Sequence, residues 1–117
     1  SNLKIIIKIV HLEIRKKMNF FLKKNKDRKA IILDIPLLLE NKINDRKDIL
    51  VFVDSKKKDI LKRLKKRNNF NYQLYNKFRK IQLPLDYKKK KSKYIIKNNF
   101  TNKCVKRAIK YILKETI

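Results

Sequence analysis

The 117-residue sequence contains no glycine, and that absence constrains the fold more than any residue present. Left-handed turn positions and helix ends ordinarily fall to glycine, which lacks the Cβ that makes positive φ costly. A phosphate-cradling loop needs glycine more strictly, because backbone amides close around a phosphate only where side chains are missing. No such loop exists in these residues. With Ser1 rather than methionine in first place, the expectation is that residues 1–117 form part of one larger α/β domain.

The formal charge of +25 points first to a polyanionic partner. The composition argues for another origin. There are 28 Lys against 7 Arg, and Lys, Ile and Asn, all encoded by A- and T-rich codons, fill nearly half the chain. Arg, the better reader of phosphates and bases, is the residue such a bias depletes. Nucleic acid is therefore not the expected partner. A lone Cys104 excludes an intramolecular disulfide and a cysteine zinc site, and fits a reducing cytoplasm. It is expected to be a small core residue. The opening NLKIIIKIV is too short and too interrupted by lysine to span a membrane or direct export.

Apolar residues at Leu3, Ile6, Ile7, Val10, Ile14, Met18, Phe21 and Leu22 predict a helix over 3–24. Lys4, Lys8, His11 and Arg15 share another face of it. The unbroken apolar run Ala30–Leu33 predicts a strand covered on both faces and ending at Asp34, with Pro36 opening a short helix through Glu40. Residues 49–54 predict a second buried strand ending at Asp54, and Ser55 a cap for a helix from Lys56 to about Arg67. A helix over 71–82, a lysine-rich turn after Pro84, a strand at 94–96 and a final helix capped by Thr101 follow. The inward face of that last helix is read as Cys104 or Val105, Ala108, Ile109 and Ile112.

In doubly wound sheets ligands bind beyond the C-terminal strand ends, where Asp34 and Asp54 fall. Asp34 suits two tasks, orienting a hydroxyl or a magnesium-bound water, or capping the helix after it. Position alone leaves both open. A lone histidine is more often structural than ligating, so no metal site is assigned to His11.

The order and spacing of several segments resemble the dephospho-CoA kinase family. AIILDIPLLLE (30–40) followed by NKINDRKDILVFVD (41–54) is similar to that family's strand-Asp, Pro-Leu-Leu, Glu and Val-Asp pattern. KRLKKR (62–67), IQLPLDYK (81–88), SKYIIKNN (92–99) and IVHLEIRKKM (9–18) are similar to further family segments in the same order. The resemblance covers nearly the whole chain. It implies an α/β fold of the P-loop kinase type, three-layered around a parallel sheet, here partial because the N-terminal strand and phosphate loop are absent, with a helical lid over about 56–92.

The resemblance also implies ATP and Mg²⁺ as cofactors and transfer of a phosphoryl group to the 3′-hydroxyl of dephospho-CoA. Asp34 and Arg67 would be catalytic; His11, Arg15, Glu40, Gln82 and Lys88 would face dephospho-CoA; Arg63, Arg67 and Asn98 would face ATP. A planar, permanently charged guanidinium on a mobile lid suits the charge that spreads during phosphoryl transfer. The sequence departs from the family pattern at Leu12, where the family has Pro, at Ile7, where Glu is usual, and at Lys93 and Lys97, where acids are common. Phe78 stands where the family has Arg, with Lys77 or Arg79 as stand-ins. Lacking the phosphate loop, the chain is expected to have no kinase activity alone. Competing readings are a basic RNA- or ribosome-associated protein, which would interleave exposed aromatics with Arg and Gly, and another P-loop nucleotide kinase.

Overall fold

The computed structural model describes residues 2–117. These form two compact units, residues 2–44 and 45–117.

The first unit is built on helix α1, Asn2–Lys24. Its inward stripe is Leu3, Ile7, His11, Ile14, Met18 and Leu22, spaced three and four residues apart as one helical face requires. His11 therefore lies in the middle of the packed stripe and not on the lysine face expected from sequence. Lys23 and Lys24 complement the negative end of the helix dipole. Asn25 then ends the helix, its backbone and side-chain amides both donating to Phe21 O at 3.1 and 2.9 Å.

Residues 30–35 carry no regular secondary structure, with Ile31, Leu33 and Ile35 half-buried and Ile32 and Asp34 exposed. The strand expected here is not formed. An extended segment becomes a strand only when a neighbour takes its backbone hydrogen bonds, and the sheet among the described residues has just two strands, both from the second unit. The short helix expected after Pro36 is also absent. Leu37 adopts φ 55°, outside the helical region, and the chain makes a single turn there instead. Ile43 N–H donates to Leu38 O and Lys42 N–H to Leu39 O, at 3.0 and 3.2 Å, with Lys42 left-handed at φ 51°. This is a Schellman closure, and Ile43, the residue that packs back in such a closure, is 6 % exposed.

In the second unit, β1 (Val51–Asp54) pairs in parallel with β2 (Tyr94–Lys97), Phe52 opposite Ile95 and Asp54 opposite Lys97. Between them run α2 (Lys57–Lys65), α3 (Tyr72–Ile81) and α4 (Leu85–Lys91), and α5 (Asn102–Thr116) follows. A parallel pair joined through helices is an α/β arrangement. The full burial expected of β1 does not occur: α5 packs against β2, with Tyr111 edge-on to Tyr94 at 6.4 Å, so Val51 and Val53 stay exposed.

Two caps differ from expectation. Lys56, not Ser55, occupies the N-cap of α2, without a side-chain cap bond. Thr101 holds the N-cap position of α5, yet its hydroxyl donates to Asn99 Oδ1 at 2.6 Å and does not cap the helix. Asn71 does cap α3, its Oδ1 accepting from Gln73 N and Leu74 N. The inward face of α5 is Val105, Ala108, Ile112 and Thr116. Cys104 and Ile109 lie off that face and are exposed, so Cys104 is not a core residue.

Candidate functional site

Two of the expected residues of the second unit, Arg67 and Gln82, border a groove between α2, α3 and the Pro84 turn. The chain leaves α2 through a turn in which Arg67 N–H donates to Leu64 O and Arg67 O accepts from Phe70 N–H. The Asn71 cap then starts α3. Tyr75, Phe78, Arg79 and Gln82 fall at helical spacings of three and four, which puts them on one face, and Pro84 ends the run. Gln82 is the C-cap residue of α3. The groove has a volume of about 840 Å³, and Arg67, Arg79 and Gln82 line it together with Phe70, Tyr75 and Phe78. Arg79 lies with its guanidinium carbon 5.8 Å from the Tyr75 ring centre, and Tyr75 in turn meets Phe70 at 6.2 Å.

Among the described residues no acidic side chain lines this groove, whereas Lys57, Arg67 and Arg79 do. An apolar, aromatic wall with cationic groups and the amides of Asn69, Asn71 and Gln82 suits a ligand that joins an apolar or planar part to phosphate. Two of the expected residues, Arg67 and Gln82, are thus brought together. Arg79, named from sequence only as a stand-in, is the third. Its signal was present in the i, i+4, i+7 spacing of Tyr75, Arg79 and Gln82. Of the two stand-ins, Lys77 is not among the groove's lining residues.

Arg63, one turn before Arg67, points elsewhere and stacks on Phe100 at 4.5 Å. At the C-terminal ends of the strands, Asn98 N–H donates to Asp54 O at 2.8 Å, and Asn98 Oδ1 accepts from Phe100 N–H. Asn98 therefore ties both strand ends into one loop. Asp54 pairs with Lys89 Nζ at 3.2 Å, with both side chains about a third exposed, a geometry worth roughly 0.2–1 kcal/mol. Lys89 thus reaches the strand end. Lys88 is half-buried on α4, its carbonyl accepting from Ser92 Oγ at 2.8 Å.

In the first unit, His11 and Arg15 converge on the 37–43 turn. Asn41 Nδ2 lies 3.0 Å from His11 Nε2 and donates to Leu37 O, while Arg15 donates to the carbonyls of Asn41 and Lys42 at 2.7 and 3.3 Å. An amide nitrogen can only donate, so Nε2 accepts and the ring proton sits on Nδ1, which is buried without a partner. Both residues thus fix the turn that contains Glu40. Asp34 is exposed on the irregular segment before that turn. Asn41 was missed from sequence, where an Asn after an apolar run reads as an ordinary turn residue.

Among the described residues no three or more His, Cys, Asp or Glu side chains cluster to hold a metal. Nor is any helix long and apolar enough to cross a membrane.

A parallel α/β unit carrying a groove lined by cations and, among the described residues, by no acid defines an α/β protein with a site suited to an anionic ligand. The comparisons narrow that class. The family model for dephospho-CoA kinase matches residues 1–103. A dephospho-CoA kinase of Bacillus anthracis is 36 % identical over 112 residues, covering 92 % of this chain and 55 % of the relative. One from Wolbachia pipientis wMel is 34 % identical over 107 residues, covering 90 % and 54 %. One from Fusobacterium nucleatum is 37 % identical over 93 residues, covering 78 % and 47 %. The chain belongs to the dephospho-CoA kinase family, and it spans about half the length of these relatives.

Proposed function

We propose that this chain supplies the lid and acceptor-side residues of an enzyme that transfers the γ-phosphoryl of ATP to the 3′-hydroxyl of dephospho-CoA. The observation that carries the reading is the shared groove of Arg67 and Gln82 in a member of this family. Phosphoryl transfer is mostly positioning and charge neutralisation. Arg67, on the turn after α2, would hold the phosphates of ATP, with residues of about 56–92 closing as a lid. Gln82 and Lys88 would face dephospho-CoA, Arg63 and Asn98 the ATP side, and Asp34 would orient the acceptor hydroxyl with Glu40 behind it. His11 and Arg15 would serve the acceptor side through the turn they anchor. Magnesium would arrive as the ATP complex, coordinated mainly by phosphate and water, as is usual for this ion. In the complete fold these parts would belong to a three-layer kinase of the P-loop type, acting in the cytoplasm.

The RNA-binding reading needs ring faces open for base stacking. Phe52, Tyr72, Tyr75, Tyr87, Tyr94 and Phe100 each instead carry a Lys or Arg of this chain over the ring. Titration of the purified chain with ATP and with dephospho-CoA tests the proposal. A charge-assisted contact contributes about 1.5–3 kcal/mol, so Arg67→Ala should weaken ATP binding by roughly 10- to 100-fold. ATP binding indifferent to Arg67→Ala would refute the role of Arg67. Without a glycine-rich loop the 117 residues should not turn over substrate alone, since the main phosphate cradle is lacking, and conversion of dephospho-CoA to coenzyme A by the chain alone would overturn that part.

A further inference from the structure

Phe100 engages both Arg63 and Asn98, the two residues assigned above to the ATP side alone. The Arg63 guanidinium carbon lies 4.5 Å from the centre of the Phe100 ring, close enough for the planar cation to rest on the ring face. The other cation–ring contacts among the described residues are longer, at 5.5 to 5.8 Å. Asn98 is tied to the same residue: its Oδ1 accepts the Phe100 N–H at 2.8 Å, while its own N–H donates to Asp54 O.

Phe100 holds this position against its own backbone preference. Its φ is 62°, a left-handed conformation that disfavours a residue with a bulky side chain. The turn is held locally by two asparagines, Asn98 bonding Phe100 and Asn99 Oδ1 accepting from the N–H and hydroxyl of Thr101 at 3.0 and 2.6 Å. The ring is 38 % exposed, so it gains only part of the burial that rewards a core phenylalanine. A guanidinium plane and a side-chain amide beyond the C-terminal ends of parallel strands are groups suited to a nucleobase, the plane by stacking and the amide by bonding the base edge. Here a flat ring and a backbone N–H of the chain itself take up both.

We propose that Phe100 occupies the place of the nucleotide's base and so determines specificity: with its ring on Arg63, this chain does not distinguish a nucleoside triphosphate from bare polyphosphate. The inference rests on the reading that Arg63 and Asn98 face ATP. Phosphate is then held by Arg67, four residues beyond Arg63 and on the groove, and the base adds nothing to affinity. A base enters only by displacing the ring, and the Arg63 stack opposes that exchange. Every base has a stacking face, so adenine and guanine are excluded alike.

The test compares the purified chain with its Phe100→Gly variant, titrating each with ATP and tripolyphosphate by calorimetry and with adenosine by saturation-transfer NMR. Glycine adopts this φ freely, so the turn is kept. Phe100→Asn, which also tolerates the left-handed region, takes its place if the glycine variant loses its far-ultraviolet helical signal. The unaltered chain should bind ATP and tripolyphosphate within about 3-fold of each other and show no transfer to adenosine. Removing the ring should tighten ATP roughly 5- to 150-fold, the worth of one stacked base, leave tripolyphosphate unchanged and admit adenosine. Adding Arg63→Ala should abolish the gain, because the base then has no plane to stack on. A ring with a merely structural role would shift ATP and tripolyphosphate together. An unaltered chain that prefers ATP over tripolyphosphate by about 10-fold or more, or a variant that still excludes adenosine, overturns the inference. Adenosine admitted by the variant while neither chain binds a triphosphate would uphold the role of Phe100 and sink that of Arg67. Triphosphate binding with adenosine still excluded would do the reverse.

Discussion

Replacing Asn41 by alanine should destabilise the first unit by about 3–5 kcal/mol, well beyond the usual effect of a turn substitution. Two hydrogen bonds of the Asn41 amide would vanish, those to His11 Nε2 and Leu37 O, each 3.0 Å long. Each is worth about 1 kcal/mol net. The larger share comes from what remains: His11 is 7 % exposed and its Nδ1 already lacks a partner. Losing Asn41 would leave both ring nitrogens buried and unsatisfied, and a stranded buried polar group costs about 1–3 kcal/mol. The Arg15 bonds would survive, because they end on backbone carbonyls. The partner variant discriminates. His11→Leu has similar volume and removes the orphan donor, so on its own it should cost under about 1 kcal/mol, and combined with Asn41→Ala it should cost less than Asn41→Ala alone. Native-state hydrogen exchange of the α1 amides near His11, with urea titration followed by circular dichroism, would supply the cycle. If Asn41→Ala costs less than about 0.5 kcal/mol, the clamp reasoning is wrong. Strict additivity of the two changes would refute it as well.

Three further outcomes are expected. Asn71→Ala removes the side-chain cap of α3 and should cost about 1 kcal/mol in urea denaturation, with Asn71→Ser restoring most of it. Lys42→Gly should stabilise the 37–43 turn by about 1 kcal/mol, because its left-handed φ of 51° suits a residue without Cβ, and thermal unfolding would reveal it. Lys89→Met should change stability by less than about 1 kcal/mol at low salt, with the difference fading in high salt, since the Asp54 pair is partly solvated.

Helices and strands with a clear period were legible from the residues alone. The helix over 3–24, the helix over 71–82 and the strands around 51–54 and 94–97 all stand within a residue or two of their expected bounds. The errors share a cause, namely neighbours that no local pattern encodes. Ala30–Leu33 has the composition of a buried strand, but pairing requires a partner. β1 reads as covered on both sides, whereas α5 packs against β2 and Val51 and Val53 stay exposed. His11 sits near the boundary between two helix faces, and only the docking of Asn41 shows which one it serves. In the groove, Arg67 and Gln82 came from resemblance. Arg79 stood beside Lys77 as a stand-in, and only its helical spacing from Tyr75 and Gln82 separated the two before the groove's lining did.

Leu37, Lys42 and Phe100 all hold positive φ without being glycine, and together they cost the fold about 3 kcal/mol. That is a substantial share of the 5–15 kcal/mol by which domains are usually stable. The genetic code makes the debt hard to clear. No single nucleotide change converts a codon for leucine, lysine or phenylalanine into one for glycine, so relief must pass through an intermediate residue such as arginine. Glycine at these turns thus lies at least two nucleotide changes away, and a laboratory substitution, which skips the intermediate, reaches in one step a stability that point mutation finds only by detour.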